Sequence, residues 1–208
     1  REGVVEHDRA RALLEEGKFT EAVELLKEIV KNTPDFLAAH NNLALAYFYM
    51  GRFVKAKESI ERVLDLAPGD LHALCNLAIF LQYEGAKESL ERLLRMLEAT
   101  IPFHQEHVFK LATTMGILGR HRIAYGHFRR LLKNEEVGGD AGLYHYCAAA
   151  ASNSGLYDEA QRCWRQVSKL DPESVVPRFY LAQLEQAVKE NLPVPPVSYN
   201  YKLHFQEQ

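Results

Sequence analysis

His104 and His107 stand three residues apart, a spacing that puts two imidazoles on one face of a helix and would suit two ligands of a bound metal. No cysteine lies nearby to complete a set, and the nine histidines follow no ligand spacing, so the pair reads as polar residues opening a helix. No Gly-rich phosphate loop, nucleophile elbow or metalloprotease His-Glu pair occurs, and the carboxylates are scattered along helix surfaces at i, i+4 spacing. No catalytic site, metal or cofactor is therefore expected. Cys75, Cys147 and Cys163 are odd in number and far apart, which fits reduced thiols in a cytoplasmic setting, and Cys147 falls at a packing position where a buried, inert thiol is expected.

A second cluster could do electrostatic work. Arg120, His121, Arg122, His127, Arg129, Arg130 and Lys133 collect in a stretch with no acidic residue, a stripe able to meet phosphate, nucleic acid or an acidic partner segment. Against nucleic acid stand a net charge of −3 and the scarcity of interleaved aromatics, which are Tyr125 and Phe128 alone. A solvated helix face is the simpler reading, with an adaptor acting through residues 120–133 kept as an alternative.

The elements that must position these groups follow from a repeat. Gly17, Gly51, Gly85 and Gly119 are 34 residues apart, and Pro34, Pro68 and Pro102 keep the same interval. A fifth unit, with Gly155 and Pro172, comes two residues late, where Gly138 and Gly139 lengthen the connection. In the second unit the apolar positions Leu43, Ala44 and Tyr47, then Phe53, Ala56, Ile60 and Val63, fall at helical spacing on both sides of Gly51. Each unit is then a helical hairpin, with a glycine turn inside it and a proline ending its second helix. This pattern, repeated as Ala10, Leu13, Phe19, Ala22, Leu26 and Ile29 in unit one and Ala148, Tyr157, Ala160, Trp164 and Val167 in unit five, resembles the tetratricopeptide repeat (TPR) family.

The resemblance covers roughly residues 3–174 and implies an all-α, right-handed α-solenoid of five TPR hairpins at 3–36, 37–70, 71–104, 105–138 and 141–174. Unit three departs from the pattern, with Lys87 and Leu90 where an aromatic and an alanine are wanted; sliding Ala86 into the alanine slot predicts a second helix that starts early and runs long. Residues 175–192 have the length of one capping helix, and Pro193, Pro195 and Pro196 lead into an extended tail, 193–208, in which Val197, Tyr199, Tyr201, Leu203 and Phe205 alternate with polar residues. No run of about 20 apolar residues is present, so no membrane span is expected.

In the family, the first helices of the hairpins line a concave groove. Carried onto this sequence, the groove positions give Arg11, Asn41, Phe48, Tyr49, His72, Gln82, Tyr83, Phe109, Thr113 and His145, together with Gly116 and Asn153. The resemblance thus implies a non-enzymatic protein-interaction scaffold with a protein or peptide partner in an aromatic and hydrogen-bonding groove. Gly116 and Gly142 in or beside these helices cost about 1 kcal/mol each relative to alanine, a cost that a close approach would explain. The tail residues Tyr199, Tyr201, Leu203 and Phe205 are expected to act as a ligand for the groove, in their own chain or a neighbour, with self-association as one outcome. The chain opens at Arg1 without methionine, which fits the alternative of a regulatory TPR domain cut from a larger enzyme or sensor.

Overall fold

The computed structural model describes residues 2–134 and 140–199, and the described residues form eleven helices and no strand. These are α1 (Glu2–Glu15), α2 (Phe19–Asn32), α3 (Leu37–Tyr49), α4 (Phe53–Leu66), α5 (Leu71–Glu84), α6 (Lys87–Glu98), α7 (Gln105–Ile117), α8 (His121–Leu132), α9 (Ala141–Asn153), α10 (Tyr157–Leu170) and α11 (Val176–Glu190).

The repeat glycines explain the hairpins. Gly17, Gly51, Gly85, Gly119 and Gly155 all have φ between 75° and 80°, the left-handed region in which a side chain would be strained. At each, two backbone N–H groups fold back onto the end of the preceding helix: at the second hairpin Gly51 N–H donates to Phe48 O at 3.0 Å and Arg52 N–H to Tyr47 O at 2.8 Å. This pairing satisfies carbonyls that a helix end leaves without partners and turns the chain at once into the second helix. Small residues then set the approach of the two helices. Ala10, Ala22, Ala44, Ala56, Ala148 and Ala160 are wholly buried, so backbones pack closely where a longer side chain would hold them apart.

The third hairpin differs from its expected form. Its second helix neither starts early nor runs long: α6 begins two residues after Gly85, as α4 begins two after Gly51, and has 12 residues against the 14 of α4. The left-handed Gly85 fixes the turn, Ala86 takes the N-cap position, and no helical turn is left for a slide. Leu90 therefore occupies the alanine slot and is half-buried, and only Leu94 and Leu97 of α6 are fully buried.

Two compact units divide the described chain, residues 2–99 and residues 100–199. In unit 1 each of α1 to α5 packs on the next, and the first helices of successive hairpins also touch, α1 on α3 and α3 on α5. In unit 2, α7 packs on α8, α8 on α9, α9 on α10 and α10 on α11. Helix α11 covers the end of this unit by stacking Tyr180 on the buried Trp164, with ring centroids 5.3 Å apart and planes 9° from parallel. It ends at Asn191, whose positive φ of 53° stops the helix before the prolines.

Candidate functional site

The most developed polar and aromatic constellation lies in unit 2, where the chain after α11 returns over α7, α8 and α9. Residues 193–199 have no helical or strand structure, and side chains alternate along the last three: Val197 and Tyr199 are 4% and 1% exposed, whereas Ser198 between them is exposed. Asn153, the last residue of α9, holds the backbone of Val197 on both sides. Its Oδ1 accepts from Val197 N–H and its Nδ2 donates to Val197 C=O, each at 2.8 Å. One carboxamide so satisfies both backbone polar groups of the buried Val197, which would otherwise be costly.

Tyr199 fills a slot built from three helices. Its ring lies over Gly116 so closely that a Cβ there would sit 2.7 Å from Cζ. The phenol oxygen is 2.9 Å from Nδ1 of His121, which heads α8, and the two rings stack at 5.8 Å. Phe128 flanks the slot, 6.5 Å from Tyr199 and stacked on Tyr146, against which Phe109 packs edge-on. His145, two turns before Asn153, faces the backbone of Ser198. Burial lowers the pKa of His121 and of His145, so at neutral pH both imidazoles are neutral and each carries one N–H and one acceptor nitrogen. His121 and Asn153 also share a depression of about 360 Å³ with Arg120, Arg122 and Ser154.

Unit 1 presents a different surface, an aromatic ridge where first helices end and second helices begin. Tyr49 stacks on Phe19 at 5.3 Å, Tyr83 lies 4.8 Å from Phe53, and Phe48 meets Tyr83 edge-on at 5.4 Å while stacking on Phe80 at 4.8 Å. Tyr49 and Tyr83 remain 40% and 66% exposed, so the ridge offers ring faces to solvent. Beneath it the polar residues are tied to the fold. Asn41 donates to Asp70 Oδ1 at 3.1 Å, the same oxygen that caps α5 by accepting from Ala73 N–H, and the buried His7 meets Asn42 at 2.9 Å.

The tetratricopeptide repeat family matches residues 13–81 of this chain. A curated relative, TPR repeat-containing protein YvcD of Bacillus subtilis (strain 168), is 38% identical over 182 residues, which is 88% of this chain. The chain is a tetratricopeptide-repeat protein. It spans 37% of that relative's length. Among solved structures, PilW, a widely conserved type IV pilus biogenesis factor, aligns with a TM-score of 0.65 at 14% identity, covering 91% of this chain and 87% of PilW. MamA aligns with a TM-score of 0.50 at 19% identity over 79% of this chain and 95% of its own. At such identities the likeness concerns the TPR fold.

Placed on this TPR framework, the groove residues expected from sequence separate by exposure. Asn41, His72 and Thr113 are buried, Arg11, Phe48, Phe109 and His145 are half-buried, and Tyr49, Gln82 and Tyr83 are exposed. Arg11 lies 3.7 Å from Glu15, and Thr113 Oγ1 donates to Phe109 O at 3.0 Å. Gly142 owes its place to a cap: its N–H donates to Asp140 Oδ1 at 2.8 Å, and a Cβ would meet that oxygen at 3.2 Å. Of the tail residues Tyr199 is in the slot described, while Tyr201, Leu203 and Phe205 lie outside the described residues. The role of His121 was missed in the sequence because it read there as part of the basic stripe, and nothing in its spacing connects it with a tyrosine 78 positions away.

That stripe is partly engaged in local contacts. Arg130 donates to Pro102 O, and Arg129 approaches the Tyr125 hydroxyl at 3.5 Å. Cys147 and Cys163 face each other across the α9–α10 hairpin. The hydrogen bond that the Cys147 thiol donates to Cys163 and then burial push the Cys147 thiol well up, so it stays protonated. Among the described residues no group of three or more His, Cys, Asp or Glu is placed to hold a metal ion, and no helix is long and apolar enough to cross a membrane.

Proposed function

We propose that this chain is a non-enzymatic interaction scaffold that holds an extended partner segment on the faces of its first helices, acting in the cytoplasm. TPR proteins are generally protein-interaction scaffolds, and the finer reading is supported by one observation. In unit 2 an extended stretch of chain lies against the first helices with its backbone clasped by Asn153 and its alternate side chains inserted. Backbone clasping combined with side-chain slots is a general way to hold an extended peptide. In unit 1 the exposed rings of Tyr49 and Tyr83 supply apolar, rigid contact area of the kind that dominates interface energetics.

Affinity capture from the native cell tests the reading. Wild type should retain a reproducible partner that is lost with the variant Tyr49→Ala/Tyr83→Ala, while circular dichroism shows that the variant keeps its helices. Equal capture by a folded variant would dismiss the ridge as the binding face. A second reading, the regulatory TPR module of a larger enzyme or sensor, is favoured by the length of the curated relative, of which this chain spans 37%. The complete reading frame decides between them. An adaptor role for the basic helix has less support, since Arg129 and Arg130 contact groups of their own unit.

A further inference from the structure

We propose that Val197-Ser198-Tyr199 is a resident pseudo-ligand: the face formed by α7, α8 and α9 recognises an extended segment of the pattern aliphatic, any residue, tyrosine, and a partner bearing that pattern enters by displacing the chain's own copy. The inference rests on the scaffold reading and gives the partner a chemical class.

Each part of the slot reads a feature that another segment could supply. Asn153 bonds the N–H and the C=O of one residue, a clasp that excludes only proline, which lacks the N–H, while the burial of the Val197 side chain at 4% exposure restricts that position to an aliphatic residue. Residue i+1 points to solvent, as exposed Ser198 does, and is unrestricted. Gly116 forms the floor under residue i+2 and admits a flat ring, since even a methyl group there would come within 2.7 Å of it. His121 Nδ1, 2.9 Å from the phenol oxygen, distinguishes tyrosine from phenylalanine.

The resident segment is also held in a way that permits exchange. Pro193, Pro195 and Pro196 are exposed, and the connection from Leu192 carries no helix or strand that would have to break. Two buried side chains, one residue clasped through its N–H and C=O, and the approach of His145 to the Ser198 backbone hold the segment without any helix or strand. The slot stays occupied because a short tether presents the segment at an effective concentration on the order of millimolar. A competitor must overcome that occupancy, and its apparent affinity falls by the fraction of sites that are open.

Fluorescence anisotropy with a labelled peptide, Pro-Val-Pro-Pro-Val-Ser-Tyr, tests this on the full chain. The variant Val197→Asp/Tyr199→Ala, which frees the slot, should bind the peptide roughly 10-fold or more tightly than wild type. Adding Asn153→Ala to it should abolish the gain, and a peptide ending in phenylalanine should bind several-fold more weakly than the tyrosine form. Equal affinity of wild type and the slot-freeing variant would overturn the proposal. So would loss of helical circular dichroism in that variant, because the segment would then be an integral part of the fold. A wild-type dimer that dissociates on Tyr199→Ala would place the segment in a neighbouring copy and overturn occupancy within one chain. Failure here leaves the capture experiment with Tyr49 and Tyr83 standing, since that one reads unit 1 alone.

Discussion

Glycine stands in three different settings in this chain, and substitution by alanine tells them apart. At Gly51 the φ of 75° forbids a cheap replacement, whereas Gly126 lies in α8 with nothing within 4 Å of an added Cβ. Gly51→Ala should lose about 1 to 2 kcal/mol, and Gly126→Ala should gain up to about 1 kcal/mol through helix propensity. Gly116 belongs to neither group. Its Cβ would meet the Tyr199 ring at 2.7 Å, so Gly116→Ala should improve α7 as a helix while expelling Tyr199. Thermal melts should rank the three variants, and NMR should show sharp signals from residues 197–199 in the Gly116 variant alone. A docked tyrosine in that variant would mean α7 shifts to make room.

At the scale of elements, a ring's contribution to folding depends on whether its helix ends at a surface or inside a stack. Tyr83 closes α5 and is 66% exposed, while Trp164 in α10 is 1% exposed beneath Tyr180 of α11. Tyr83→Ala should therefore cost under about 1 kcal/mol, and Trp164→Ala about 3 to 5 kcal/mol. A comparable loss in both would mean that the ridge in unit 1 is core rather than surface. Helix α11 has a separate test. Deleting the chain from Ser174 onward uncovers Trp164, and a terminal repeat without its cap loses solubility before helix content. Self-association and a lower melting temperature are expected, and a monomer with unchanged melting would deny α11 a capping role.

For the whole molecule the histidines set a pH dependence. His7, His40, His121, His127 and His145 all have lowered pKa values, with burial the largest cause in each; Asp8 opposes it at His7, and Arg11, Arg62 and Arg130 add to it at His7, His40 and His127. The folded chain thus binds fewer protons than the unfolded one below the ordinary imidazole value of about 6.5. Stability is complete above that pH and declines as pH falls through the lower folded values, so the melting temperature at pH 5 should lie below that at pH 7.5. Equal values would show that these rings accept charge at no cost. The family and its helical hairpins were legible in the sequence because they depend on local chemistry: a glycine that must adopt positive φ once in every unit, alanines where helices touch, and an apolar period that neighbours enforce. The alternation in Val197, Ser198 and Tyr199 was legible for the same reason. What only the tertiary structure decided was where those residues go and what meets them. The length of α6, the partition of groove positions into buried Asn41 and exposed Tyr83, and the meeting of Tyr199 with Gly116 and His121 all depend on which surfaces packing leaves open. Contacts across 78 residues have no local signature, because the distance between two side chains is set by every turn folded between them.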